Sequence, residues 1–176
     1  MPGSLLWGTW RVILQPMDIR RATVDDAPAM GHGMKAVADE GRWLATPAGT
    51  EARFLADRFA RAIEDDHALF VLDDGDRIAG CLGLHPSAAD GVLELGMWLL
   101  PDVRGRGHGR RLVEAALEEA VRRGAHKVQL EVYPDNPRGV ALYAATGFEV
   151  EGVRRDHYRR PDGSLRSAIV MARLLG

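Results

Sequence analysis

Residues 99–109 read Leu-Leu-Pro-Asp-Val-Arg-Gly-Arg-Gly-His-Gly, so Gly105, Gly107 and Gly109 alternate with Arg104, Arg106 and His108. Glycine permits backbone conformations that other residues avoid, so successive N–H groups can converge on one anion, and the helical pattern that follows places them at a helix N-terminus. The anion such a cradle suits is a phosphate. No Gly-Lys-Ser/Thr follows, which excludes a P-loop, and Arg110 stands where a dinucleotide fingerprint needs its third glycine. Two carboxylates stand in apolar company, Glu131 between Leu130 and Val132 and Glu94 between Leu93 and Leu95. Six histidines, at 32, 67, 85, 108, 126 and 157, show no metal-ligand spacing, and no metal is expected. Asp73, Asp74 and Asp76 read as a turn, and Cys81 in an apolar run has no partner that would make it a nucleophile.

The elements that must hold these groups follow from periodicity. A strand is expected over 18–22, with Thr23 capping a helix that carries Met30, Met34 and Val37, and with Thr50 capping a second helix. Apolar strands at 68–72 and 77–84 flank an Asp-Gly turn. A long strand over 92–100 is interrupted by Gly96, which marks a bulge or a close backbone approach. After the glycine loop comes a helix with Leu112, Val113, Ala116, Leu117 and Ala120 inward and the pairs Glu118/Arg122 and Glu119/Arg123 on its wet side, stopped by Gly124. A strand over 127–133, a short helix over 138–145 and strands over 148–153 and 167–174 complete the order. Strand-helix-strand at the centre implies a parallel crossover, and the flanking hairpins are antiparallel, so the sheet is mixed.

The 176 residues, 46% hydrophobic, suffice for one domain with its own core. Lys plus Arg number 23 against 25 Asp plus Glu, and a formal charge of −2 argues against nucleic acid as a partner for the arginine-rich loop. One cysteine fits a reducing compartment, read as the cytoplasm. The apolar stretch from Leu5 to Leu14 contains Arg11 and ends at Gln15-Pro16, so residues 1–16 read as an extension, neither signal nor membrane span, and the domain proper as 17–176.

Pro-x-x-Arg-Gly-x-Gly-x-Gly after a strand resembles the acetyl-coenzyme A signature of the GNAT superfamily of N-acetyltransferases, whose Arg/Gln-x-x-Gly-x-Gly/Ala segment wraps the pyrophosphate. Residues 130–148, Leu-Glu-Val-Tyr-Pro-Asp-Asn-Pro-Arg-Gly-Val-Ala-Leu-Tyr-Ala-Ala-Thr-Gly-Phe, are similar to that family's Asn-x-x-Ala-x-x-Leu-Tyr-x-x-x-Gly-Phe segment. The resemblance implies a single α/β domain with a mixed, largely antiparallel sheet, a central parallel strand pair and flanking helices. It further implies transfer of acetyl from acetyl-coenzyme A to a primary amine, on a small molecule or a protein N-terminus, by direct attack in a ternary complex. A non-catalytic acyl-coenzyme A sensor is the alternative.

Such chemistry needs a base, an oxyanion donor and an acid for the leaving thiolate. Glu131 is the first choice for base and Glu94 the second, because adjacent central strands can present both carboxylates to one cleft. The resemblance implies that Tyr143 faces the coenzyme sulfur as acid. It assigns coenzyme contacts to Arg104, Gly105, Arg106, Gly107, His108 and Gly109, and adds one at Asn136, which also reads as a helix N-cap. The strand residues Met97, Trp98 and Leu99 belong to the same set, with the amides of Met97 and Leu99 holding the acetyl carbonyl. For the acceptor, Arg42, Trp43, Tyr158 and Arg159 suit a carboxylate-bearing amine, whereas Asp39 and Glu40 suit a polycation. The expected assembly is a homodimer with no membrane partner.

Overall fold

A computed structural model describes residues 17–176; the expected extension, 1–16, lies outside them. Seven strands form one sheet in the order β1-β2-β3-β4-β5-β7-β6: β1 (Asp18–Arg21), β2 (Ala68–Asp73), β3 (Ile78–Pro86), β4 (Val92–Leu99), β5 (Lys127–Val132), β6 (Glu149–Arg159) and β7 (Leu165–Leu174). Every neighbouring pair is antiparallel except β4 and β5, which are parallel and joined through α3 (His108–Arg122). Two helices, α1 (Ala27–Asp39) and α2 (Ala52–Glu64), cover one face, where Met30 and Val37 pack with Leu69, Val71, Cys81 and Trp98. The other face carries α3 and α4 (Pro137–Ala145), with Leu112, Val113, Ala116 and Tyr143 against Leu82, Leu95, Val128 and Leu130. The expected element order and mixed sheet are both present.

Several local expectations change. Thr50 does not cap α2; its hydroxyl donates to the Pro47 carbonyl and Glu51 takes the cap position. Glu119 is buried, not wet, because Arg21 reaches it from β1 while Arg122 and Arg123 both close on it at 2.7 Å. The guanidinium groups of Arg122, first, and Arg123 hold its carboxyl down at about 2. The Glu118/Arg122 pair is therefore replaced by Glu119/Arg122. Strand β6 runs to Arg159, six residues beyond the expected end, through a polar stretch that shows no apolar alternation because it is an exposed edge strand.

Gly96 is no bulge against β3: the register runs unbroken from Gly80↔Leu99 to Pro86↔Leu93 and pairs Gly96 with Gly83. Its role lies on the other edge. Pairing of β4 with β5 stops at Leu95↔Leu130, although both strands continue. Beyond Leu95 the sheet opens into a V, and a side chain added at Gly96 would meet nothing within 4 Å.

Candidate active site

That opening is a cleft of about 1130 Å³. Its walls include Gly96 to Leu99 of β4, the glycine loop, Glu131 at the end of β5, the start of α4 with Tyr143, and Arg42 and Trp43 from the α1–α2 connection. Backbone parity decides what β4 offers. The Leu100 amide donates to Ala79 of β3, so by alternation the amides of Met97 and Leu99 point the other way, toward the side that β5 has left. Trp98 also lines the cleft, but by the same alternation its amide faces β3, and its ring packs beneath α1, where a Cβ on Gly33 would lie 2.3 Å from it.

The glycine loop behaves as its composition demands. Gly105 and Gly107 adopt φ of +73° and +85°, with open space where a Cβ would stand. Gly107 is the N-cap of α3, and the first helical bond runs from the Arg111 amide to the Gly107 carbonyl. Among the described residues, the six N–H groups of residues 105–110 find no acceptor in the protein. They form a row of free donors at the positive end of a 15-residue helix, suited in chemistry and spacing to a phosphate or pyrophosphate. Gly105, Gly107, Gly109 and Arg110 line the cleft, whereas Arg106 and His108 do not. Burial lowers the His108 pKa, helped by Arg111 and Arg106. Arg104 lines the cleft as well. Its guanidinium clasps Glu40 at 2.9 and 2.6 Å and donates to the Leu99 carbonyl at 2.9 Å, so it ties the loop to the end of α1.

Glu131 and Glu94 share a sheet face, because β4 and β5 are in parallel register with Glu94 opposite Gln129. Only Glu131 reaches the cleft. Glu94 lies over the closed section of the sheet, exposed, and accepts a hydrogen bond from Gln129 at 3.1 Å. The expectation that both carboxylates face one cleft fails because β4 and β5 diverge just beyond Leu95, the residue after Glu94. Glu131 has a partner for each oxygen: Arg154 Nη1 at 2.7 Å from Oε1, and the Tyr158 hydroxyl donating to Oε2 at 2.8 Å. Neither contact is legible in the sequence, since both come from the unanticipated half of β6.

Asn136 caps α4 as expected, its Oδ1 accepting from the Gly139 amide at 3.0 Å. Tyr143, further along the same helix, is buried against the edge of Phe148 with ring centroids 5.8 Å apart. Burial alone pushes its phenol up to about 12, which keeps it protonated at any physiological pH. Tyr133, Arg160 and Arg166 carry no signal in the sequence that marks them as functional. Arg160 donates to the Leu44 and Gly41 carbonyls at 2.9 and 2.7 Å, Arg166 donates to the Arg42 carbonyl at 2.7 Å, and together they pin the α1–α2 connection over the cleft. Among the described residues no cluster of three His, Cys, Asp or Glu side chains is placed to hold a metal, and no helix is long and apolar enough to cross a membrane.

Comparison with known proteins agrees with this geometry. Over 72 residues the chain is 39% identical to the [Ribosomal protein bS18]-alanine N-acetyltransferase of Escherichia coli K12, covering 41% of this chain and 48% of that protein. The chain thus spans about half the length of the curated relatives it matches first. In structure it superposes on a ribosomal-protein-alanine N-acetyltransferase from Brucella melitensis with a TM-score of 0.82 at 21% identity, covering 90% of this chain and all of that one. The yncA protein of Salmonella typhimurium, solved with its cofactor acetyl-CoA, gives 0.81 at 18% identity over 91% and 94% of the two chains. Residues 36–148, which hold the glycine loop, the diverging strands and α4, match the model of the acetyltransferase (GNAT) family, and the chain belongs to that family.

Proposed function

We propose that this protein transfers the acetyl group of acetyl-coenzyme A to a primary amine by direct attack. The observation that carries the reading is the row of six free amides at the N-terminus of α3, of which Gly105, Gly107, Gly109 and Arg110 line the same cleft as Glu131 and Tyr143. These amides hold the pyrophosphate, and Asn136 at the head of α4 adds a coenzyme contact. The amides of Met97 and Leu99 hold the acetyl carbonyl and take up the charge that develops on its oxygen. Glu131, oriented by Arg154 and Tyr158, accepts the proton of the attacking amine through its remaining lone pairs. As the new N–C bond forms and the C–S bond breaks, Tyr143 gives its proton to the departing sulfur. A phenol held at about 12 is always in the form that can donate. The relatives named as alanine N-acetyltransferases support amine acetylation as the class. A reducing cytoplasm suits the single, buried thiol of Cys81.

Calorimetry with acetyl-coenzyme A, followed by thiol release in the presence of primary amines, tests the reading. Binding with stoichiometric thiol release and acetylated amine is the expected result. Tight binding with no transfer to any amine would instead make the protein a coenzyme-binding module.

A further inference from the structure

The acceptor end of the cleft carries positive charge that no carboxylate among the described residues balances. Asp39 and Glu40, the acids that would draw in a polycation, are already engaged. Asp39 accepts from Lys35 at 2.6 Å and from the Gly49 amide at 2.8 Å. Glu40 accepts two N–H groups of Arg104 and the Trp43 indole N–H at 2.7 Å. Glu131 is matched by Arg154. By contrast Arg42 lies 4.4 Å over the Trp43 ring at the cleft wall, with no carboxylate in ion-pair range among the described residues. The same holds for Arg160, whose donors go to backbone carbonyls.

Tyr133 supplies an independent observation. It lines the cleft and is only 5% exposed, and its buried hydroxyl has no hydrogen-bond partner among the described residues. The Arg166 guanidinium stacks on its ring at 4.0 Å while pairing with Asp135 and holding the Arg42 carbonyl. A buried O–H donor set among guanidinium groups calls for an anionic acceptor. Tyr133 also meets Tyr158 edge-on, with ring centroids 5.8 Å apart, and Tyr158 donates to Glu131. The anion-seeking and amine-seeking poles are therefore neighbours, joined by two tyrosine rings.

Resting on the transfer reading above, we infer that the acceptor is a small amine bearing its own carboxylate, with the amine at Glu131 and the carboxylate at the Tyr133 hydroxyl and the Arg42 guanidinium. A polyamine would meet unbalanced guanidinium groups here, and a peptide N-terminus has no carboxylate close to its amine.

Thiol release is measured with acetyl-coenzyme A and phenylalanine, methionine or 4-aminobutanoate, each beside its carboxamide, and with spermidine and a peptide beginning with alanine. The carboxylates are expected to exceed their carboxamides in kcat/KM by about tenfold or more. Amino acid carboxamides have the more readily deprotonated amine, so this preference cannot arise from basicity. Arg42→Gln, at an exposed position, is expected to bring the carboxylate-to-carboxamide ratio near one, and Tyr133→Phe to reduce it partway. Thiol release with carboxamides, spermidine or the peptide at least as fast as with the carboxylates, or a ratio unmoved by Arg42→Gln, overturns the inference and leaves acetyl transfer standing. Coenzyme binding without thiol release from any acceptor removes both.

Discussion

The coenzyme end of the cleft is made from backbone at one crossover, whereas the acceptor end is made from side chains that arrive from distant stretches. Six consecutive amides, two glycines at positive φ and a helix end build the first, all within residues 105–110 and the start of α3. The second depends on Arg160 reaching Leu44 across 116 positions and Arg166 reaching Arg42 across 124. Backbone geometry of the first kind tolerates changes of side chain and preserves one ligand. Side-chain geometry of the second kind can be rebuilt substitution by substitution, so acceptor choice can drift while the coenzyme end stays the same.

Glu131 stands where the two ends meet, and removing its charge has the largest expected effect. Glu131→Gln keeps a hydrogen-bonding group for Tyr158 but cannot take a proton, so kcat falls by about 10² to 10⁴. Coenzyme affinity measured by calorimetry stays near wild type. Glu94→Gln, over the closed section of the sheet, retains activity. If Glu94→Gln shows the loss and Glu131→Gln does not, the base is Glu94.

Tyr143 belongs to the coenzyme end, and Tyr143→Phe slows the chemical step by about 10- to 100-fold with its ring packing on Phe148 kept. Because burial raises its phenol to about 12, the tyrosine stays protonated well past pH 10. Its loss therefore lowers the pH–rate profile without moving either limb below that pH. An acyl thioester with a better leaving group recovers most of the lost rate. Equal slowing of both donors would make Tyr143 a positioning residue.

The asymmetry between the two ends also explains what can be read from the chain. Residues 104–109 and 136–143 encode their geometry locally, as glycine spacing, a helix cap and a helical stripe, so the loop, the Asn136 cap and the cleft-facing amides of β4 are legible. The second half of β6 is not. Residues 154–159 are Arg-Arg-Asp-His-Tyr-Arg, with none of the alternation that marks a half-buried strand, because both faces of this edge are wet. With that strand unseen, Tyr158 and Arg154 cannot be placed on Glu131. Arg42 and Trp43 can be named for the acceptor, but only the structure shows that Asp39 and Glu40 are occupied. Gly96 misleads in a similar way, since a glycine at a strand divergence and one at a bulge look alike in sequence.

Gly107 tests whether the coenzyme end is truly a backbone device. Valine at φ +85° strains the turn by about 1–2 kcal/mol and places a branched side chain where the phosphates must approach. Acetyl-coenzyme A affinity falls by about tenfold, measured by calorimetry on protein whose circular dichroism matches wild type. Arg106→Ala leaves the backbone in place and is expected to cost less. A larger loss in Arg106→Ala than in Gly107→Val would show that the loop binds through its side chains.

The smallest effect sharpens the other side of the comparison. Arg160→Gln removes a guanidinium that holds the Gly41 and Leu44 carbonyls, at 2.7 and 2.9 Å, and so loosens the α1–α2 connection without touching the glycine loop. Each such bond contributes about 1 kcal/mol, and Arg166 still anchors the Arg42 carbonyl. The acceptor KM rises about threefold to tenfold, kcat at saturating acceptor stays within about twofold, and the calorimetric affinity for acetyl-coenzyme A is unchanged. This split separates a wall that positions the acceptor from a fold-wide defect, which would weaken coenzyme binding as well. If coenzyme affinity drops in parallel with acceptor KM, the two ends are coupled through the Glu40–Arg104 clasp, and they cannot evolve independently.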